Sequence, residues 1–454
     1  MMLNRKRIWR ILALVLALAL VAAACGDDDD AETTTTAAPT TTAAPTTTEA
    51  PTTTEAPTTT EAPTTTEAPT TTEAPAGLEI EIGYVLPQTG GLAPIIDALV
   101  NPLEMAVEEI AAAGGPDVTL VAGDSGTDPQ VATNTVEQLL NDEVSAIIGP
   151  ASSRVSLSVI DRITGAGTPM CSPSNTGAAF TTYEDNGFYF RTAPSDVLQG
   201  PALAEQIVGE GATSVAIIYR NDEYGAGFAG FVAEALEASG VTVAAEIAYD
   251  PDATSFDAEA AQAAAAGVDA IAIITFAEGA PLLQAMIEAG IGPADLQIWV
   301  ADGFKDTVSA TDVDPNNPAA LEGVRGTAPS ASPATGEATF VDRLEAYAPG
   351  TPLIFSAQSY DCIMSFVLAA ESADSTDPGD IAAALNDVTR DGEKCSLYAD
   401  CHALIESGAD IDYDGASGPL DFSDIGEPNV GTYDVFEYDA EGTAQVYDQV
   451  QFSA

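Results

Sequence analysis

Residues 214–303 read as seven successive runs: SVAIIYR (214–220), FAGFVAEALEASG (228–240), VTVAAEIAY (241–249), AEAAQAAAAG (258–267), DAIAIITF (269–276), APLLQAMIEAG (280–290) and LQIWVADG (296–303). Four of these runs are short and rich in apolar and β-branched residues, which predicts buried strands. The three longer runs end at a glycine, which is typical of a helix C-terminus. Strands that alternate with helices predict a parallel sheet covered by helices on both faces.

The same alternation occurs earlier in the chain and predicts a second sheet. Its runs are IEIGYVLP (80–87), PLEMAVEEIAAAGG (102–115), VTLVAGDS (118–125), DPQVATNTVEQLLND (128–142), VSAIIGP (144–150), SSRVSLSVIDRITGAG (152–167) and TPMCSPS (168–174). The segment FRTAPSDVLQG (190–200) separates the two series. We therefore predict an α/β chain of two doubly wound parallel-sheet lobes, in which a ligand lies beyond the carboxyl ends of the strands.

The N-terminus has the pattern of an exported protein. MMLNRKRIWR carries four cationic side chains, and the apolar run ILALVLALALVAAA (11–24) ends at Cys25. This is the order of a secretory signal peptide, and the apolar run is short for a membrane span. A Cys directly after Ala-Ala-Ala resembles the bacterial lipobox. That resemblance implies that residues 1–24 are removed and that Cys25 carries the lipid; an uncleaved anchor with a small buried Cys is the alternative.

Residues 25–76 have a composition that cannot form a hydrophobic core. From Glu49 the unit EAPTTT repeats, and Pro, Thr and Glu dominate the segment. We predict a disordered tether of Thr, Pro, Ala and Glu between the lipidated Cys25 and the folded lobes. Glycosylation of its Thr clusters is left open.

The charge balance excludes one class of partner. The chain has 13 Lys and Arg against 70 Asp and Glu, a formal net charge of −57. Such a surface repels phosphate backbones, so we expect no nucleic-acid partner. We interpret this composition as a solvated acidic surface rather than as a sign of calcium binding.

Four cysteines remain once Cys25 is assigned to the lipid, and export permits disulfides. Cys395 and Cys401 are six residues apart and are predicted to pair. Cys171 and Cys362 either pair with each other or remain separate buried thiols. A metal site at Cys395, Cys401 and His402 is disfavoured, because His402 is the only histidine and zinc needs four ligands.

The presence of a single histidine weakens most enzyme hypotheses. A Ser-His-Asp or Cys-His site would have to use His402, and the sequence has no GxSxG or P-loop motif. We expect no catalytic residues and no cofactor. A hydrolase that uses only carboxylates is the remaining enzymatic alternative.

Eight stretches, in order, resemble the branched-chain amino-acid-binding (Leu/Ile/Val-type) substrate-binding proteins of ABC transporters. They are IGYVLPQTGGL (82–92), AVEEIAAAGG (106–115), DSGTDPQVA (124–132), AIIGPASS (146–153), GTPMCSPSNTGAAFT (167–181), FRTAPSD (190–196), YRNDEYGAG (219–227) and YDCIMSFVLAAESA (360–373). The resemblance implies a type I periplasmic binding protein whose lobes are joined by a three-stranded hinge. It places lobe 1 at 77–195 plus 329–430, and lobe 2 at 196–328 plus 431–454.

The resemblance also implies a set of ligand-binding residues on the first lobe. The Ser of the GPxxS turn, here Ser153, would hold a ligand carboxylate. The SPxxT loop would contribute a backbone carbonyl at Ser174 and the hydroxyl of Thr176. Because these residues follow strand ends, where helix N-termini favour anions, the residue-level interpretation agrees. Gln88 and Leu92 are either side-chain-pocket residues or ordinary loop residues.

On the second lobe, the resemblance implies that Tyr224 stacks on the ligand, that Phe276 replaces a Tyr, and that Asp302 replaces a longer Glu to bind the ammonium. Both departures from the family pattern change the part of the site that would bind the ligand ammonium. Each candidate also has a structural alternative: helix capping for Ser153, turn positions for Thr176 and Asp302, loop packing for Tyr224 and core packing for Phe276.

The resemblance implies a non-enzymatic receptor that captures a small amino-acid-like solute, an amino acid or a related amide or acid, by closure of its two lobes. It would deliver this solute to an ABC permease in the membrane, as a monomer held by lipid at the outer face of the cytoplasmic membrane. A ligand sensor for a membrane signalling partner is the main alternative. A structural wall protein is a further one, although it would leave a binding cleft unexplained.

Overall fold

The described part of the chain is built on two large sheets with helices on their faces. The structure is a computed structural model that describes residues 77–330 and 339–453. The predicted signal peptide, Cys25 and the tether to residue 76 lie outside the described residues. All described residues fall within one compact unit, Glu73–Ala454.

The strands are β1 (Glu79–Leu86), β2 (Asp117–Asp124), β3 (Ala146–Ile148), β4 (Met170–Ser172), β5 (Tyr189–Arg191), β6 (Ser214–Arg220), β7 (Thr242–Tyr249), β8 (Ala270–Ile274), β9 (Gln297–Val300), β10 (Arg325–Pro329), β11 (Glu393–Cys395), β12 (Ile411–Gly415), β13 (Gly418–Pro419), β14 (Val430–Tyr438) and β15 (Ala444–Ser453). The α-helices are α1 (Ile96–Ala113), α2 (Pro129–Asn141), α3 (Ser153–Gly165), α4 (Asp196–Gly209), α5 (Glu223–Ala238), α6 (Asp257–Ala266), α7 (Gly279–Glu288), α8 (Ala310–Val313), α9 (Phe340–Tyr347), α10 (Ser356–Ala373), α11 (Pro378–Ala384) and α12 (Tyr398–Glu406). Short 3-10 helices lie at Ala93–Ile95, Ala178–Thr182 and Asp302–Phe304.

The first sheet has the strand order β2-β1-β3-β4-β5, and all its pairs are parallel. We call the part built on it lobe 1. Ile148 is opposite Cys171, and Cys171 is opposite Phe190. The turns that follow β3 and β4 therefore meet at one edge of this sheet, which is where the GPASS and SPSNT segments lie.

The second sheet has the strand order β15-β14-β10-β9-β8-β6-β7, and we call the part built on it lobe 2. Its central pairs are parallel, but β14 runs antiparallel to β10 and β15 antiparallel to β14. Val300 is opposite both Ile273 and Gly326. Phe276 and Asp302, which follow β8 and β9, are therefore neighbours at one edge.

The strands of both sheets are nearly continuous apolar runs because helices cover both faces. Ala270–Ile274 is buried at every position, and Trp299 is fully buried. The helices bury an apolar face, as Leu99, Leu103 and Ile110 do in α1. These features agree with the predicted α/β class.

The chain passes between the lobes three times: after β5, after β10 and before β14. A three-stranded sheet, β11-β12-β13, follows α11 in the part of the chain between the second and third passages. Across the cleft, α5 of lobe 2 contacts α3 and the 3-10 helix Ala178–Thr182 of lobe 1. No helix among residues 77–330 and 339–453 is long and apolar enough to cross a membrane. The predicted domain boundaries stay a prediction, and the lobes are named here by their sheets alone.

Candidate functional site

The turn after β3 brings Ser153 to the cleft. Gly149 has φ +92°, and a Cβ there would lie 2.5 Å from the Val85 carbonyl oxygen, so the turn requires glycine. Ser152 is the N-cap residue of α3, yet its side chain makes no capping hydrogen bond. Ser153 is the first helical residue, and its hydroxyl accepts a hydrogen bond from the Gly177 N–H at 3.3 Å. The capping alternative for Ser153 is therefore wrong.

Hydrogen bonds to the turn after β3 fix the loop that follows β4. The Pro150 carbonyl accepts hydrogen bonds from the Ser172 hydroxyl at 2.8 Å and from the Asn175 amide at 3.2 Å. The Ser174 hydroxyl donates to the Ala151 carbonyl at 3.1 Å. These bonds hold Thr176, which is 1% exposed, beside Ser153.

A buried arginine fixes this loop from behind. Arg191, at the end of β5, is fully buried and donates to the carbonyls of Asn175 at 3.1 Å and Gly177 at 2.9 Å. Its guanidinium also pairs with the carboxylate of Glu427, which belongs to the third passage between the lobes. Arg191 thus connects the loop that carries Ser174 and Thr176 to a hinge segment.

Lobe 2 contributes an aromatic pair and an acid. The Tyr224 ring, at the start of α5, stacks on Phe276 with ring centroids 5.3 Å apart and an interplanar angle of 17°. The Tyr224 hydroxyl donates to Asp302 Oδ1 at 3.1 Å and accepts from the Gly303 N–H at 3.2 Å. Gly303 allows this close packing, since a Cβ there would lie 2.8 Å from the Phe276 ring.

The guanidinium carbon of Arg220, at the end of β6, lies 3.7 Å from the ring centroid of Phe276. Its nitrogens pair with Asp222 at 2.7 Å and Glu278 at 2.5 Å. Arg220 and Tyr224 therefore both pack against Phe276, and the cation lies over an aromatic ring that attracts it.

Residues of both lobes line a cavity between them. All six candidate residues line it: Ser153, Ser174 and Thr176 from lobe 1, and Tyr224, Phe276 and Asp302 from lobe 2. Leu92 also lines it, whereas Gln88 is exposed and is not a lining residue. The remaining lining residues are Ile95, Ala151, Gly303, Lys305, Thr307, Ile354 and Phe355.

A second acid lies next to the first. Asp196, the first residue of α4, is fully buried. Burial raises the pKa of Asp302 from 3.8 to about 7. Burial, and then the charge of Asp302, raise the pKa of Asp196 as well. The pair therefore favours a bound cation, whose charge would offset their desolvation and mutual repulsion.

Sequence reasoning did not identify several residues of this region, among them Asp196, Lys305 and Phe355. Asp196 ends the FRTAPSD stretch, which separates the two series of runs and also resembles the family, but the resemblance implies no binding role for Asp196. Lys305 lies three residues after Asp302, with no motif to mark it. Phe355 has the left-handed conformation, φ +56°, which no sequence rule predicts for a bulky residue.

The cysteines form two disulfides. Cys395 pairs with Cys401, as predicted, and Cys171 pairs with Cys362, which selects one of the two alternatives left open. The Cys395 and Cys401 sulfurs are therefore not available as metal thiolates. His402 contacts Glu371 at 2.6 Å and stacks on Tyr398. It lines no part of the cavity.

Comparison with known proteins identifies proteins that this chain is similar to. The family model described as "periplasmic binding protein" matches residues 79–442. The Leu/Ile/Val-binding protein homolog 3 of Brucella melitensis is 25% identical, over 80% of this chain and 92% of the relative. The chemotactic signal transduction system substrate-binding protein BasB of Halobacterium salinarum is also 25% identical, over 78% of this chain and 86% of the relative.

Solved structures have the same fold. A leucine-binding protein LivK from Thermotoga maritima has a TM-score of 0.69 at 22% identity, covering 82% of this chain and 98% of that one. The branched-chain amino acid transporter substrate-binding protein LivJ from Streptococcus pneumoniae, in complex with isoleucine, has a TM-score of 0.68 at 22% identity, covering 82% and 99%. These structures support the predicted fold, that of a type I periplasmic binding protein.

Proposed function

Because the chain belongs to the periplasmic binding protein family, whose members act outside the cytoplasm, we propose that it captures an α-amino acid, or a close analogue, for an ABC importer. The family and the relatives named above are binding proteins rather than enzymes. The Brucella relative is named for binding leucine, isoleucine and valine, which supports an amino-acid ligand.

The observation that carries this proposal is the opposite chemistry of the two sides of the cavity. Lobe 1 presents the hydroxyls of Ser153 and Thr176 beside the N-terminus of α3, which suit a carboxylate. Lobe 2 presents Asp302, with Asp196 nearby, which suit an ammonium. An α-amino acid carries both groups within one small molecule, and Tyr224 and Phe276 would cover its face.

Affinity would come from the charge-assisted contacts and from apolar burial. A micromolar dissociation constant corresponds to about −8 kcal/mol. Two sets of charge-assisted hydrogen bonds and one apolar contact are sufficient for this value once the entropy of association is included. Because the contacts come from both lobes, ligand binding would shift the population toward a closed arrangement.

The membrane assignment rests on the N-terminal sequence, which lies outside the described residues. We infer that residues 1–24 are cleaved, that Cys25 is lipidated, and that the segment to residue 76 links a monomeric receptor to the outer face of the cytoplasmic membrane. Stable anchoring needs more than one acyl chain, which lipobox processing supplies. The receptor would there meet the permease.

Isothermal titration calorimetry of the folded, ligand-stripped protein against a panel of L-amino acids tests the ligand proposal. We expect at least one amino acid to bind with a micromolar or lower dissociation constant. Asp302→Asn and Thr176→Val should each weaken that binding by tenfold or more. Asp257→Asn, on an exposed helix start far from the lining residues, is the matched control. Binding to none of the panel would overturn the proposal.

A second candidate is a sensor role, because BasB is named as part of a chemotactic signal transduction system. The same cavity would then report solute concentration to a signalling partner. Uptake of labelled ligand by cells that carry or lack this chain separates the two roles. Loss of uptake supports transport, while unchanged uptake with a lost chemotactic response supports sensing.

A further inference from the structure

A second charged side chain lines the cavity, and the proposed contacts to the ammonium and α-carboxylate do not use it. Lys305 follows the 3-10 helix Asp302–Phe304 and is 7% exposed. It lines the same cavity as Asp302, yet no ion pair joins the two side chains within 4.0 Å. Lys305 is therefore not a counter-ion for the acid that would bind the ammonium.

The Lys305 ammonium has unused hydrogen-bonding capacity. The carboxylate that it approaches is Asp434, at 3.8 Å, which is beyond hydrogen-bond distance. Asp434 itself accepts a hydrogen bond from the Gln449 amide at 2.8 Å. The other Lys and Arg side chains that form ion pairs among residues 77–330 and 339–453 each have a carboxylate oxygen within 3.0 Å.

A buried ammonium with three donors and no hydrogen bond is unfavourable unless something else accepts from it. The face of Phe436, 5.3 Å away, offsets part of this but accepts no conventional hydrogen bond. Within the described part of the chain, the Lys305 ammonium donates no hydrogen bond to a protein oxygen. The described residues therefore provide no hydrogen-bond acceptor for the ammonium of this lining residue.

The other cavity residues outside the proposed ammonium and carboxylate contacts are largely apolar: Leu92, Ile95, Ile354 and Phe355. Met or Leu at position 305 would contact a purely aliphatic ligand side chain equally well, and neither would carry the free-energy cost of burying an ammonium. We propose that Lys305 is a specificity-determining residue that donates to a terminal carbonyl or carboxylate oxygen on the ligand side chain. This rests on the proposed amino-acid function and narrows it to side chains such as those of glutamine and glutamate.

Calorimetry with L-glutamine, L-glutamate and L-leucine on the wild type and on Lys305→Met tests the inference. The wild type should bind glutamine or glutamate at least tenfold more tightly than leucine. Lys305→Met should lose this preference by weakening the oxygen-bearing ligand tenfold or more, while leucine changes by less than threefold. Glutamine and glutamate together show whether the acceptor is neutral or charged.

Lys394→Met is the matched control, because Lys394 pairs with Asp412 and Asp414 on the surface of lobe 1. It should leave all three affinities unchanged. If Lys305→Met fails to fold, Lys305→Gln replaces it and should weaken glutamate more than glutamine.

A wild type that prefers leucine, or a Lys305 variant that weakens all three ligands equally, would overturn the inference and leave the amino-acid function intact. A wild type that binds no amino acid at all would overturn both.

Discussion

Phe276 packs against both a cation and a second aromatic ring. The Arg220 guanidinium lies 3.7 Å from the ring centroid of Phe276, and the Tyr224 ring stacks on Phe276. Asp222 and Glu278 hold Arg220 in place. The stack fixes the plane of Tyr224, whose hydroxyl then joins Asp302 to Gly303. A hydroxyl at position 276 is not required for this bridge.

Removing the Tyr224 hydroxyl tests the bridge. Tyr224→Phe keeps the stack but leaves Asp302 and the Gly303 N–H without this partner. We expect ligand affinity to fall by about fivefold to tenfold, since a buried hydrogen bond contributes about 1 to 1.5 kcal/mol. Calorimetry measures the change. The control is Tyr183→Phe, which removes an exposed hydroxyl bonded to Asp161. Equal affinities for Tyr224→Phe and the wild type would contradict the bridge.

The acid pair makes binding depend on pH. Burial raises the pKa of Asp302 from 3.8 to about 7, and the pKa of Asp196 is raised as well. A bound ammonium favours the ionised carboxylates. Ligand binding therefore releases protons when the pH is below the raised pKa of Asp302. We expect affinity to increase from about pH 5 to about pH 8, by up to about tenfold per pH unit below the pKa. Titrations in buffers of different ionisation enthalpy count the protons released.

The same pKa shifts have the opposite effect on the ligand-free protein. Between the unfolded pKa of 3.8 and the folded pKa of about 7, the folded chain binds more protons than the unfolded chain. The free energy of unfolding without ligand therefore falls as the pH rises through this window. Asp302→Asn should flatten both the binding profile and this contribution to stability. A pH-independent dissociation constant in the wild type would contradict the ammonium contact.

Sequence reasoning reached the six candidate residues because each comes shortly after a predicted strand. Four of them, Ser153, Ser174, Thr176 and Tyr224, also lie in stretches that resemble the family. Asp196 and Phe355 were missed because tertiary structure brings them to this region: Asp196 through the packing of α4, and Phe355 through a left-handed backbone at the start of α10. Lys305 was missed because its direction depends on the turn after Asp302. Local sequence patterns identify residues at strand ends. They do not identify residues that tertiary packing of a distant element brings to the site.

At the scale of elements, the loop 172–177 depends on Arg191 and Glu427. Arg191 is fully buried, and the Glu427 side chain is 13% exposed. Removing one member of a buried ion pair leaves the other charge uncompensated, which costs about 3 to 5 kcal/mol. The buried guanidinium of Arg191 also donates hydrogen bonds to two carbonyls of this loop. Loss of Glu427 as its partner should therefore disturb the position of the loop and weaken ligand binding.

Glu427→Gln is therefore expected to lower the free energy of unfolding by about 3 kcal/mol and to weaken ligand binding. Urea denaturation and calorimetry measure the two effects. Glu137→Gln is the matched control, because it breaks the half-exposed pair with Arg162 at 2.8 Å. That change should stay within about 0.5 kcal/mol. Similar losses in the two variants would show that the buried pair has no special role.

The alternation of strands and helices was readable from the sequence because parallel strands are continuous apolar runs. The run DAIAIITF, for example, contains β8, Ala270–Ile274. The C-terminal hairpin of β14 and β15 was placed in lobe 2 by the resemblance, without strand bounds. β15 is largely exposed and lacks an apolar run, so the pattern that identified the other strands is absent there. The small sheet of β11, β12 and β13 was missed because its strands, EKC, IDYDG and GP, contain no apolar run.

At the scale of the whole molecule, the two disulfides constrain very different lengths of chain. Cys171 and Cys362 are 191 residues apart, and the segment between them contains all the parallel strands of lobe 2. Cys395 and Cys401 are 6 residues apart. If disulfides act mainly by restricting the unfolded chain, the long link stabilises by about 5 kcal/mol and the short one by about 2 kcal/mol.

Two double variants compare these links directly. Cys171→Ala with Cys362→Ala should lower the free energy of unfolding by more than Cys395→Ala with Cys401→Ala, by about 3 kcal/mol. Because both bonds lie in lobe 1 and line no part of the cavity, ligand affinity should change little in either folded variant. Urea denaturation in the absence of reductant provides the comparison. Equal decreases in the free energy of unfolding would show that chain entropy does not determine the contributions of the two disulfides. A loss of ligand affinity in the first variant alone would show that the Cys171–Cys362 link also positions the loop that follows β4.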